Sequence, residues 1–356
     1  MGLSRLVVED FRALRAVDIA PSDGVNVVYG ENGAGKTSLL EAVFCLGRAR
    51  SFRGGKIERL VARGRPHFLV RGELATSDGR LTVGVRRGWD GTRVRVSGEE
   101  VRSLSTLARL FPVQIINGDC LRLLSDGPRM RRAFLNWTVF HVEPSYGDAW
   151  IRFEKVLRQR NAALKTGDAR LTEAWTAELG RLSAVIDQAR LVCLSGLNEF
   201  LNHRLRDWLP EEEIELVYRR GWSKDSDLVS VLSSNRDREL EAGFTLHGPH
   251  RADLEIRCGG VDGHQVLSGG QQKLLVIALL LAQIELWRLS GEVNPLLLVD
   301  DLPAELDAAN RSAVVRAVEA LNVQAFLTCI RRDAITLSSG SPKWFHVEHG
   351  RYSEVV

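Results

Sequence analysis

Three groups of residues in this chain have the types and spacing to handle a nucleoside triphosphate. The first is GENGAGKT, Gly30 to Thr37, which meets the pattern G-x-x-x-x-G-K-[ST]. Gly30, Gly33 and Gly35 let the backbone N–H groups of the loop, from Glu31, Asn32 and Ala34 through to Ser38, turn inward around phosphate oxygens. Lys36 is placed to neutralise the β- and γ-phosphates during transfer, and the Thr37 hydroxyl to ligate Mg²⁺. The second group is LSGGQ, Leu267 to Gln271, where Ser268 caps a helix while Gly269 and Gly270 leave its N–H groups open to an anion. The third is LLLVDD, Leu296 to Asp301. Asp300 suits a Mg²⁺ partner, direct or through water, and Asp301 the group that orients or deprotonates the attacking water.

Each motif alone has a plainer reading, a glycine turn or a capped helix start. The elements around them decide otherwise. Val25 to Tyr29 reads as a short buried strand, and Thr37 to Leu46 carries apolar residues at helical spacing. Leu296 to Val299 reads as a strand buried on both faces of a parallel sheet, and ligands bind at the carboxyl end of such strands. Gln271 is followed by a strongly apolar helix, Leu274 to Ile284.

Phosphate loop, LSGGQ and acidic strand, in this order, resemble the ABC-type ATPases. The resemblance implies ATP and Mg²⁺ as cofactors. It also implies that Ser268, Gly269, Gly270 and Gln271 reach the γ-phosphate held by a second copy, in an ATP-dependent homodimer. PAELD, Pro303 to Asp307, looks like that family's D-loop, with Ala304 where serine is common. Thr328 follows the strand-like Val323 to Leu327 and falls where transport ATPases place a switch histidine, a candidate γ-phosphate sensor.

Leu267 lies 237 positions beyond Gly30, so the middle of the chain must hold an extra domain. Its pattern is helical: two runs with apolar residues three or four apart, Tyr146 to Leu164 and Leu171 to Cys193, flank Gly167-Asp168 as an antiparallel hairpin. It is too short for a long coiled coil. The expected fold is α/β: an ABC-type ATPase head with a mixed sheet, flanking helices and an antiparallel β lobe, carrying an inserted, mainly helical arm. The head is expected from residues 1–118 and 245–356, and the arm from 119–244.

Longer strings narrow the likeness. DFRALR (Asp10 to Arg15), LGRARSFRGG (Leu46 to Gly55), GPRMRRAFLNW (Gly127 to Trp137), LRQRNAALK (Leu157 to Lys165) and HGPHRADLEI (His247 to Ile256) resemble the RecF family of bacterial recombination and gap-repair ATPases. Asn117-Gly118-Asp119 departs from that family's usual Pro before an acidic residue. The resemblance adds Arg12 to the nucleotide-binding set. It implies a weak, DNA-stimulated ATPase that dimerises on ATP and helps load RecA at gapped DNA, with RecR and RecO as partners. An SMC-like structural clamp or the ATPase of a transporter remain the alternatives. The first needs long heptads and the second a membrane-coupling surface.

The 356 residues carry a net charge of only +3, so composition alone does not announce a nucleic-acid binder. Local patterning says more. Arg48, Arg50, Arg53, Lys56, Arg59, Arg63 and Arg65 face a single acidic residue, Glu58, in the same stretch. Arg50, Arg53, Lys56, Arg63 and Arg65 are the candidates for contact with double-stranded DNA and with gapped or single-stranded junctions. Arg86, Arg87, Arg93 and Arg95 form a second basic set, and Arg129, Arg131, Arg132, Arg152, Lys155, Arg158 and Arg160 a third on the arm. Five scattered cysteines without a C-x-x-C pair argue against zinc and disulfides and fit a reducing cytoplasm. His247, His250, His346 and His349 read as structural. No apolar run is long enough to span a bilayer, and no signal peptide is read at the start.

Overall fold

The computed structural model describes residues 2–54, 57–76, 79–101, 103–290, 294–301, 306–338 and 341–355. They form two compact units, 1–120 with 277–356, and 121–276.

The first unit has two sheets. One is antiparallel, in the order β2-β1-β4-β5-β6-β7: β1 (Gly2–Phe11), β2 (Leu14–Ile19), β4 (His67–Thr76), β5 (Gly79–Gly88), β6 (Gly91–Val96) and β7 (Glu99–Glu100). A register shift between Leu3 and Arg5 breaks strict alternation in β1 and lets Leu3, Leu6 and Val8 all reach the core. The other sheet runs β15-β14-β3-β13-β12-β8: β3 (Val25–Tyr29), β8 (Val113–Ile116), β12 (Leu296–Val299), β13 (Gln324–Cys329), β14 (Lys343–Glu348) and β15 (Arg351–Val355). Its pairs are parallel except β14 with β15. The four residues of β12 are all buried, as an uninterrupted apolar run in a parallel sheet requires.

Helix α1 (Lys36–Arg48) sits in a core drawn from both sheets, including Val70 and Leu74 of β4 and Leu298 and Phe326 of the parallel sheet. It is therefore buried nearly all round, Glu41 included. α2 (Leu104–Leu110) precedes β8, and α11 (Ala308–Ala320), capped by Asp307, precedes β13.

In the second unit, α3 (Arg122–Ser125) and α4 (Pro128–Val142) lead into the expected hairpin. α5 (Tyr146–Thr166) stops at Gly167, whose φ of 69° favours glycine, and Asp168 caps the 40-residue α6 (Ala169–Trp208) by accepting from the Leu171 N–H. β9 (Ile214–Arg219), β10 (Asp253–Cys258) and β11 (Val261–Asp262) form a small antiparallel sheet. α7 (Leu228–Ser234), α8 (Arg236–Ala242) and α9 (Gly263–Val266) complete the unit, and α10 (Gly269–Ser290) carries the chain onward. The sequence places the return to the head at 245. The packing places it inside α10, because β10 pairs along its whole length with β9 and keeps 245–276 with the arm.

Three arginines of the arm's basic set turn inward. Arg160, 1% exposed, donates to Thr176 Oγ1 (2.8 Å), Thr245 Oγ1 (2.8 Å) and Glu239 Oε2 (2.7 Å). Arg131 clamps Asp253 through two 2.8 Å bonds, and Arg132 donates to the Ala252 carbonyl at 2.7 Å. A buried guanidinium must be paired or hydrogen-bonded, and these are.

Candidate active site

β3 ends at Tyr29 and the phosphate loop begins. A Cβ on Gly30 would collide with the Val347 carbonyl of β14, so only glycine fits there. Gly33 and Gly35 have φ of 81° and 122°, and Gly33 has open space beside it. The C-terminal hairpin braces the loop: Gly350 N–H donates to the Ala34 carbonyl and the Tyr352 hydroxyl to the Gly35 carbonyl, both at 2.8 Å. Lys36 is buried and donates to the carbonyls of Gly30 (2.7 Å) and Glu31 (2.9 Å), holding its ammonium over the mouth of the loop.

Parallel register brings the acidic strand end to this loop. β13 lies between β3 and β12, with Val299 opposite Leu327 and Val28 opposite Thr328. One residue further, Asp300 and Thr328 are neighbours. Asp300 Oδ1 accepts from the Thr37 hydroxyl at 3.0 Å and from the Thr328 hydroxyl at 2.9 Å. Burial pushes the Asp300 carboxyl above its usual range, against the two hydroxyl bonds and the charge of Arg53, which favour the carboxylate. A Thr hydroxyl and a carboxylate oxygen sharing one position fit a hard divalent cation. Thr37 and Asp300 would hold Mg²⁺, which supplies neutralising charge to the phosphate oxygens when bound.

Asp301 stands in the left-handed region with φ of 52°, uncommon for a residue with a Cβ. Its N–H donates to Thr328 Oγ1 at 2.7 Å, and its Oδ1 is buried with no hydrogen-bond partner. A buried carboxylate oxygen without a donor, next to a phosphate loop, is suited to a water molecule. Thr328 is fully buried and its hydroxyl is committed, donating to Asp300 and accepting from Asp301. It braces the acidic strand end.

Arg12, with φ of 51°, and Ser51 both bond the buried Glu41 on α1, one turn beyond Thr37. Of the candidates for DNA contact, Arg50, Arg53, Arg63 and Arg65 are exposed. Arg65 pairs with Asp10 at 3.3 Å, and Arg53 is the one whose charge reaches Asp300. Lys56 and the Pro303–Glu305 part of the D-loop-like segment lie outside the described residues. On the β lobe, Arg86 and Arg93 face each other across β5 and β6 and share Asp90, at 2.8 and 3.6 Å.

Ser268, Gly269 and Gly270 are exposed at the start of α10, in the second unit, with nothing near either glycine where a Cβ would stand. Gln271 N–H donates to Ser268 Oγ at 3.3 Å and Ser268 N–H to Gln271 Oε1 at 2.8 Å. His250 is structural, its Nε2 bonding the Thr245 carbonyl at 3.1 Å. Among the described residues none of the five cysteines is in a disulfide. Among the described residues no cluster of His, Cys, Asp and Glu could hold a metal by itself, and no helix is long and apolar enough to cross a membrane.

The family model described as RecF/RecN/SMC N terminal domain matches residues 2–353. The DNA replication and repair protein RecF of Stutzerimonas stutzeri is 42% identical, over 100% of this chain and 98% of its own length. The chain belongs to the RecF family. RecF of Vibrio atlanticus is 40% identical over 99% of this chain and all of its own. A solved structure described as the recombination mediator protein RecF with ATP, in the RecFOR pathway, is 26% identical. It superposes with a TM-score of 0.87 over 100% of this chain and 98% of that one. An Smc head bound to the C-terminal winged-helix domain of ScpA, 14% identical with a TM-score of 0.61, shares the fold alone. RecF membership makes this an ATPase of the ABC and SMC-like class, with the α/β head expected from the motifs.

Proposed function

We propose that this chain is an ATP-timed DNA clamp of gap repair. Each copy binds MgATP at the phosphate loop. ATP then bridges Lys36 of one copy to Ser268 and Gly270 of the other. The closed homodimer presents its basic surfaces to duplex DNA and to gapped or single-stranded junctions. Asp301 activates water, the γ-phosphate leaves and the clamp opens, so hydrolysis is slow and DNA-stimulated. RecR and RecO are the partners in this reading, RecA loading the outcome and the cytoplasm the setting.

The observation that carries the reading is the pairing of a braced Thr37–Asp300–Thr328–Asp301 cluster with an exposed, capped signature helix start. The first grips one side of a terminal phosphate, and the second offers free N–H groups to another. The names of the RecF relatives support the repair setting. The test is a DNA-binding titration at several salt concentrations with ATP, ADP and no nucleotide. Affinity should be highest with ATP, and log K should fall against log[salt] with a slope of about −0.9 per phosphate neutralised. Replacing Arg50 and Arg63 should flatten that slope. Binding indifferent to nucleotide, or flat with salt, contradicts the reading.

A further inference from the structure

The signature segment closes on itself as a reciprocal capping box of the S-x-x-Q kind. Two things follow. Ser268 Oγ accepts from Gln271 N–H, so its own proton is left to be donated outward. And the Gln271 amide must present Oε1, not Nε2, to the Ser268 N–H. The two ends of an amide differ little in shape, so a neighbour has to choose between them.

Glu212 makes the choice. Gln271 Nε2 donates to Glu212 Oε1 at 2.6 Å. A carboxylate only accepts, so a flipped amide would set oxygen against oxygen. Glu212 is itself held by Cys258, whose thiol donates to Oε2 at 3.0 Å. Burial, reinforced by that carboxylate, pushes the Cys258 thiol up to about 11, so it stays a donor at neutral pH. Glu212 lies between Trp208, the end of the long helix α6, and Ile214, the start of β9. It joins the far end of the arm helix to a motif 59 residues away.

We propose that Glu212 is a positioning residue for the signature motif: it fixes the Gln271 amide so that Ser268 presents its hydroxyl proton to the nucleotide of a second copy. The inference rests on the dimer reading above and concerns closure, not nucleotide binding.

The test uses the full chain carrying Asp301→Asn, alone and with Glu212→Ala or Glu212→Gln. Dimer dissociation is measured by sedimentation at saturating ATP, with ATP affinity and the thermal midpoint measured alongside. Glu212→Ala should weaken the ATP dimer about tenfold, the scale of one charge-assisted hydrogen bond, with ATP affinity unchanged. Glu212→Gln keeps an oxygen for Gln271 Nε2 and should restore the dimer. Equal dimerisation by the alanine variant overturns the inference. So does a parallel fall in midpoint and ATP affinity that glutamine does not rescue. If Asp301→Asn alone fails to dimerise, the dimer reading is what fails, and this inference goes with it.

Discussion

Thr328→Val removes one hydroxyl and almost no volume, and its consequences can be worked through. The hydroxyl gives a hydrogen bond to the half-buried Asp300 carboxylate and takes one from the Asp301 N–H. Losing a bond to a charged acceptor costs about 1.5–3 kcal/mol, and stranding a buried N–H about 1–3 kcal/mol. The two share one atom, so they should not sum fully; about 3 kcal/mol is the expectation. For a folded unit of this size that is a fall in thermal midpoint of about 6–12 °C. Asp300 loses a donor to its charged form, so its carboxyl rises further and holds Mg²⁺ less well. Asp301 loses the anchor of its strained backbone, and turnover should fall about 10- to 100-fold, equivalent to about 1.4–2.7 kcal/mol. ATP affinity should change little, since Lys36 and the loop amides remain. Thr328→Ser should restore most of both properties. The assay is thermal unfolding, ATP and ADP titration, and single-turnover hydrolysis on the three proteins. A valine variant that melts and hydrolyses like the parent, yet no longer distinguishes ATP from ADP, would refute the brace and favour a γ-phosphate sensor.

Two predictions concern the arm. Glu239→Gln strands the Arg160 charge in the interior and should destabilise the second unit by about 3–5 kcal/mol in denaturant unfolding, whereas Arg160→Met with Glu239→Leu should recover most of it. His250 is held neutral: burial lowers its pKa from 6.5 to about 4. The unfolded chain therefore binds the extra proton first as pH falls, so stability is complete above 6.5 and declines toward 4, by about 3 kcal/mol from this group. In His250→Gln that part of the acid loss should vanish, seen as a flatter stability curve between those pH values; an unchanged curve contradicts the assignment.

The parts of this site made within one stretch of chain were legible in the sequence. The phosphate loop is strand, glycine turn and helix in a row, and the hairpin at Gly167-Asp168 is signalled by its own breaker and cap. What was not legible depends on register or on distant partners. Thr328 could be placed after a strand, but that its hydroxyl bridges two aspartates follows only from Val299 lying opposite Leu327. The bracing of the loop by Gly350 and Tyr352 joins residues more than 300 positions apart. Arg131 and Arg160 looked like surface charge because their acidic partners, Asp253 and Glu239, lie 122 and 79 residues away. The return to the head was read too early because β10 finds its partner in β9 and not in the head. Glu212 carries no motif at all, and its part appears only once Gln271 is seen beside it.

The central claim is that one terminal phosphate is gripped by two copies of the chain. Light scattering on Asp301→Asn tests it most directly, with ATP, with ADP and without nucleotide, and with Lys36→Met as the protein unable to hold ATP. The account predicts twice the monomer mass with ATP alone, and a monomer for Lys36→Met under every condition. A strictly monomeric Asp301→Asn at saturating ATP, beside a parent that hydrolyses ATP at full rate while monomeric, would contradict it.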